Sequence, residues 1–188
     1  LPKTAGIRRD NVGILIATGM HRGHTTAERH KLLGRYAASI SRAVDHRVDS
    51  VQHVGTTRRG TEVSVNPLLL DADFALALGN VDVHYFAGYT GGYKAVIPGL
   101  AGRETIEKNH SLMMLPNAEP GVIESNPVRE DLEEAGQFTQ LRYIVNVVQN
   151  EANRTVAAFA GDPIAAHRAA AKLMDQFVKV PVKEAADI

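Results

Sequence analysis

The chain has no cysteine and no tryptophan. Without thiols there is no disulfide framework, no thiolate nucleophile and no cysteine metal site. Any metal must therefore be held by histidine, by carboxylate or by a donor that the polypeptide does not supply. An excess of one charge is also lacking. Lys plus Arg and Asp plus Glu stand at 21 each, so no overall basic field exists to draw in nucleic acid. No run approaches the roughly 18 apolar residues of a membrane span, and no charged-then-apolar leader opens the chain. The expectation is a soluble, cytoplasmic protein with neither nucleic acid nor membrane among its partners. Aromatics make up only 5% of residues, which leaves an aliphatic, alanine- and valine-rich composition of the α/β kind.

What is present suits one domain of 188 residues, long enough to bury a sizeable core. Val12 to Thr18 is a continuous apolar run of the kind found in strands covered on both faces. Thr25-Thr26-Ala27-Glu28 has the form of a capping box, and apolar residues at helical spacing follow to about Val44. Val48–Val54 and Glu62–Val65 read as short strands around a solvated turn at Arg58-Arg59-Gly60, and Phe74–Leu78 reads as another buried strand. Arg103 to Met114 is helical, with Ile106, His110 and Met113 at i, i+4 and i+7. Asn126-Pro127 announces a helix that stops at Gly136. Tyr143–Val148 and Arg154–Phe159 read as strands, and a long alanine-rich helix runs from Gly161-Asp162-Pro163 to about Val178. Strands alternating with helices predict a layered α/β/α, Rossmann-like fold with a largely parallel sheet. Residues 180–188 read as a linker, and a strand set so close behind Leu1-Pro2-Lys3 suggests a piece of a larger polypeptide.

In such sheets ligands gather where strands end and loops begin. Two loops qualify. The first, Thr18 to His24, lies between a strand and a helix N-terminus; its His21 and His24 resemble a metal pair, although turn and capping roles explain its glycines and Thr25 equally well. The second runs from Val83 through Lys94 to Gly99 with four glycines. It is not an ordinary P-loop, because Gly92 does not directly precede Lys94 and Ala95 offers no hydroxyl for magnesium. Lys94 is either a desolvated, nucleophilic amine or a lysine that snorkels to water. His110, taken alone, is either a ligand or a core histidine.

The string from His84 through Gly88-Tyr89-Thr90-Gly91-Gly92-Tyr93-Lys94, Ile97-Pro98-Gly99-Leu100-Ala101-Gly102 and Glu104-Thr105-Ile106 to His110 closely resembles the lactate racemase family. Gly19-x-His21-Arg22 and Asn126-Pro127 fit that family's flanking segments, and the resemblance runs from about Val12 to Phe159. It implies an isomerase, a racemase or epimerase of a lactate-like 2-hydroxyacid, that works by hydride abstraction and return on a nickel-pincer nucleotide. In that family the cofactor is bound covalently to a lysine, matched by Lys94, and its nickel takes a histidine ligand, matched by His110. Gly91 and Gly92 would line the cofactor. His21 and His84 match the two histidines that exchange the hydroxyl proton, a task suited to imidazole because its pKa of about 6.5 allows transfer either way.

The resemblance further implies that residues 1–179 form a lactate-racemase-like N-terminal catalytic domain, incomplete on its N-terminal side. The partners would be a C-terminal domain of the same chain and separate cofactor-maturation enzymes. The family's upstream Asp-x-x-Arg segment and second domain are missing here, so this length alone is expected to lack cofactor and turnover. Two other readings stand beside this one: a non-catalytic module that binds a nucleotide or a metal, and a zinc hydrolase using His21, His24 and His84.

Overall fold

The structure, a computed structural model, describes residues 6–38 and 42–181. Most of the expected linker at 180–188, and the opening Leu1-Pro2-Lys3, lie outside the described residues.

A short parallel pair, β1 (Ile14–Ile16) and β2 (Ala43–Asp45), opens the fold. Between them runs α1 (Thr26–Ala38), and the capping box forms as expected. The Glu28 amide donates to Thr25 Oγ1 at 3.3 Å, and the Thr25 amide donates to Glu28 Oε2 at 2.8 Å. The helix does not reach Val44. Gly34 leaves helical backbone (φ 70°, ψ 168°), and Ala43–Asp45 is instead the strand that pairs with β1.

An antiparallel hairpin, β3 (Gln52–Thr56) and β4 (Glu62–Val65), turns over Arg58-Arg59-Gly60. Both arginines of the turn reach acidic residues, Arg58 to Glu134 and Arg59 to Glu130. A single helical turn, α2 (Pro67–Leu70), follows, capped by Asn66. The largest sheet has three strands: β5 (Ala75–Asn80) lies parallel to β8 (Leu141–Gln149), which pairs antiparallel with β9 (Thr155–Gly161). Between β5 and β8 come the two-residue strands β6 (Val83–His84) and β7 (Gly88–Tyr89), then α3 (Arg103–Ser111) and α4 (Pro127–Gln137); α5 (Ala165–Val178) closes the fold.

The α/β class holds. A layered, largely parallel Rossmann-like sheet is not confirmed, because the described strands form four small sheets in which two pairings are parallel and three antiparallel. Strand alternation explains where the core lies. Ile144, Asn146 and Val148 of β8 point inward, and α5 covers that face with Ala166, Ala170, Ala171 and Met174. Leu132 of α4 and Ile144 are fully buried, each contributing about 1.5–3 kcal/mol on the usual scale. The opposite face stands open: Leu76, Leu78, Tyr143 and Val156 are exposed, so the expected strand at Phe74–Leu78 forms as Ala75–Asn80 but is not the buried run that its composition suggests. Among the described residues no helix is long and apolar enough to cross a membrane.

Helix α4 ends one residue past Gly136, close to the expected stop; a Cβ at Gly136 would overlap the Tyr93 ring, so the glycine also lets the loop above come close.

Candidate functional site

The tight β6–β7 hairpin sets the site. Its turn, Tyr85-Phe86-Ala87, folds back so that the amides of Ala87 and Phe86 donate to His84 Nδ1 at 3.3 and 3.5 Å. Lys94 sits in the 3₁₀ turn Gly92–Ala95, with Nζ at 3.4 Å from His84 Nε2. His110, in the last turn of α3, packs on the Phe86 ring of the β6–β7 turn. The Phe86 ring joins the three: its centroid is 4.5 Å from that of His84, 5.1 Å from that of His110 and 5.9 Å from Lys94 Nζ. The three residues singled out in the sequence thus converge on one aromatic ring.

Proton positions follow from this geometry. A neutral imidazole whose Nδ1 accepts carries its hydrogen on Nε2. That hydrogen faces Lys94 Nζ, which can accept it only as a free amine. Burial, and secondly the charge of Arg129, push the lysine down to about 8. At neutral pH its free-amine fraction therefore exceeds that of an ordinary lysine by about two orders of magnitude. Burial, then the charges of Lys94, Arg129 and His110, push His84 down to about 4. His110 is lowered too, by burial and then by Lys94, and among the described residues neither of its ring nitrogens has a hydrogen-bond partner. The cluster offers a nucleophilic amine, a neutral imidazole with an uncommitted lone pair, and a second imidazole touching the amine.

The first loop is placed beside this cluster but joins it only through backbone. The Gly19 amide donates to the Gly99 carbonyl at 2.9 Å, tying the His21 loop to the segment that follows Lys94. His21 itself is exposed, in a shallow cleft lined by Ala17, Thr18, Arg22, His24 and Glu28. His24 is committed elsewhere, its Nδ1 lying 2.6 Å from Asp45 Oδ1. Among the described residues no three His, Asp or Glu gather as metal ligands, so a zinc centre of His21, His24 and His84 has no support.

Gly91 and Gly92 take positive φ, 81° and 60°. A side chain at Gly91 would run into Asn146 and Val81, and one at Gly92 into His167. Their smallness is thus required by the protein's own packing. Asn146 Oδ1 accepts the Gly92 amide at 2.8 Å, and His167 donates through Nε2 to the Thr90 carbonyl at 2.9 Å. These two anchors, and the buried Arg129 beneath the hairpin, are not among the residues singled out in the sequence. A signal for them exists there: Asn146 interrupts an apolar strand on its inward register, and His167 shares a helix face with Ala166, Ala170 and Met174.

Burial, and then Arg129, push His167 down to about 3. Its folded value lies below the unfolded value of about 6.5, so the unfolded chain takes up the extra proton as pH falls. The stability from keeping His167 neutral is complete above about pH 6.5 and drains away below it, by about 2 kcal/mol between pH 7 and pH 5. His167→Gln keeps an amide able to reach the Thr90 carbonyl but does not titrate. Urea midpoints at the two pH values should show the variant losing less than the parent, and equal losses would show that His167 does not carry this dependence.

The lactate racemase N-terminal domain family matches residues 2–121. The lactate racemase of Thermoanaerobacterium thermosaccharolyticum is 34% identical over 180 residues, 93% of this chain and 42% of that protein. That of Lactiplantibacillus plantarum is 32% identical over 175 residues, 90% of this chain and 41% of that protein. The chain thus spans about two-fifths of the length of the curated relatives it matches. The solved structure of the lactate racemase apoprotein from Thermoanaerobacterium thermosaccharolyticum superposes with a TM-score of 0.88 at 33% identity, covering 94% of this chain and 43% of that one. A crystal structure of a protein from Thermotoga maritima, 24% identical, shares the fold with a TM-score of 0.74 over 87% of this chain and 46% of that one. With a domain match over well more than half of its length, and the same arrangement of elements as a solved lactate racemase, the chain belongs to the lactate racemase family.

Proposed function

We propose that this chain is the N-terminal cofactor-binding part of a 2-hydroxyacid racemase or epimerase. The observation that carries the reading is the convergence of His84, Lys94 and His110 around Phe86, with Lys94 held as a partly free amine. These residues fit a nickel-pincer nucleotide. A group that brings its own sulfur donors needs from a cysteine-free chain only an attachment point and one more ligand, and Lys94 and the lone pair of His110 meet those needs. When bound, such a group would supply an acceptor and donor of hydride for the carbinol carbon.

The remaining work falls to the protein. His84, neutral at working pH, exchanges the hydroxyl proton on one side, and His21 does so from its open cleft on the other. Gly91 and Gly92 serve cofactor binding through the backbone: their positive φ and close packing on Asn146, Val81 and His167 set the course of the segment that carries Lys94. Residues 1–179 form the domain, a following region of the longer polypeptide closes the cleft, and maturation enzymes deliver the cofactor in the cytoplasm.

The test is a 2-hydroxyacid deuterated at the carbinol carbon, given to the full-length, cofactor-loaded protein. Enantiomers should interconvert with most of the label retained, because hydride held on a ring does not exchange freely with water, whereas a proton taken by histidine does. Label washing into solvent as stereochemistry scrambles would sink the hydride reading in favour of carbanion chemistry. The present length alone should turn over little, since it spans only about two-fifths of the length of its curated relatives. A loaded protein inert towards every 2-hydroxyacid tried would favour a non-catalytic nucleotide- or metal-binding module.

A further inference from the structure

We infer that Arg129 is a positioning residue of this site, holding Ala87 so that His84 keeps its ring proton on Nε2, the nitrogen that faces Lys94. The inference rests on the racemase reading only for the use made of that proton. The placement itself is testable without nickel or substrate.

Arg129 is wholly buried on α4. Its Nε and Nη2 donate to the Ala87 carbonyl at 3.1 and 3.0 Å, and Nη2 also reaches the Tyr89 carbonyl. The amide of the same Ala87 donates to His84 Nδ1. One guanidinium fork therefore fixes the residue whose other backbone group decides which nitrogen of His84 carries hydrogen. A planar fork suits this task because two parallel donors restrain the direction of a carbonyl as well as its distance.

Holding the loop would not by itself call for a buried cation. Asn126 already ties the same turn with neutral donors, its Nδ2 reaching the Phe86 and Val122 carbonyls at 3.0 and 3.1 Å. A buried charge is costly unless closely paired, and this one is paired loosely. Glu133 Oε1 lies 3.8 Å from Arg129 Nη1 but 2.7 Å from Arg168, and Nη1 is buried with no hydrogen-bond partner. The positive charge is thus left poorly neutralised beneath His84 and Lys94. There it opposes a second proton on the imidazole, and the Ala87 amide opposes a proton on Nδ1; only the Nε2–H form remains. The other ionisable groups around Arg129 and the pair are His110 on α3, Glu133 on α4, and His167 and Arg168 on α5. All but Glu133 are histidines or cations, so none of them restores the balance on the His84 side.

The experiment is ring-nitrogen NMR of the protein labelled with 15N-histidine, without cofactor and at about pH 9.5, above the value of about 8 to which Lys94 is pushed so that its amine is free, with His84→Gln used to identify the His84 signals. The wild type should show a protonated Nε2 and an unprotonated, hydrogen-bonded Nδ1. Arg129→Met should give an average of the two tautomers, while His46 keeps its own pattern as the control for folding, since its partners are Asn66 and Ala101. Arg129→Lys, with charge but no fork, should fall between. A wild-type His84 protonated on Nδ1 overturns the inference at once. So does Arg129→Met with His84 unchanged and His46 intact. If the methionine variant loses the His46 pattern, the lysine variant decides, and an unchanged His84 signature there overturns it too. The expected signatures combined with a failed deuterium experiment would retire the racemase reading and leave this placement standing.

Discussion

Gly88→Ala should unfold the protein at moderate temperature, with a loss of about 3–5 kcal/mol and a midpoint lower by about 10 °C or more. Two costs combine at this position. Gly88 has φ of +72°, where an L side chain costs about 1–2 kcal/mol. A Cβ there would also overlap the Val122 carbonyl, and that atom is backbone, held in place because Asn126 donates to it. The Gly88 carbonyl in turn accepts the Gly121 amide at 3.0 Å, so neither strand can retreat without giving up its bonds. Gly60→Ala separates the two costs. Gly60 has φ of +77°, and no atom lies within 4 Å of the place its methyl group would take, so it carries the conformational cost alone. Thermal melts of both variants beside the parent make the comparison. If Gly88→Ala costs no more than Gly60→Ala, the hairpin is free to shift, and it cannot be the rigid support that holds His84 against Lys94.

That hairpin marks the boundary between what is legible in the sequence and what is not. Local signals hold wherever the physics is local. The capping box at Thr25 and Glu28 forms, and so does the Asn126 cap, whose Oδ1 accepts the Val128 and Arg129 amides at 3.1 and 3.0 Å. The strand Glu62–Val65 and the helix from Arg103 lie where composition places them. The site triad is legible through spacing and resemblance, since glycine density and a lone lysine are visible without a fold. Contacts between distant segments are not. Gly136 stands near the end of its helix as expected, but its close approach to the Tyr93 ring has no local signal. Ala43–Asp45 continues a helical pattern, yet becomes a strand because β1 needs a partner. The apolar strands suggest a sheet covered on both faces. The described residues cover one face only, and no local pattern says what element lies on the other. Arg129, Asn146 and His167 escape a sequence reading for a related reason: a polar residue at an apolar register is easily seen, but its use depends on which loop is pressed against it.

The largest chemical effect should come from separating attachment from ligation at the site. In full-length protein produced together with its maturation enzymes, intact mass should show a covalent adduct on the parent, located at Lys94. Lys94→Ala should lose the adduct entirely and racemisation by a factor of about 10³ or more, the scale expected when a group that holds the reacting atoms is removed. Lys94→Arg is the sharper variant. It keeps a cation next to His84 but has no amine that can be freed, since the guanidinium stays protonated at any working pH. It too should carry no adduct, whereas a lysine needed only for its charge would be replaced without loss. His110→Ala should behave in the opposite way, retaining the adduct mass of the organic group while nickel per chain falls. Its fold should change by no more than about 1 kcal/mol, because a half-buried histidine with no hydrogen-bond partner among the described residues gives way to a good helix former. The two variants therefore cross: one loses attachment and metal together, the other metal alone. Nickel unchanged in His110→Ala with a collapsed thermal midpoint would make His110 a core residue. An adduct surviving in Lys94→Ala would move the attachment point elsewhere, and the depressed pKa of Lys94, with His84 Nε2 at 3.4 Å, would then need a different use.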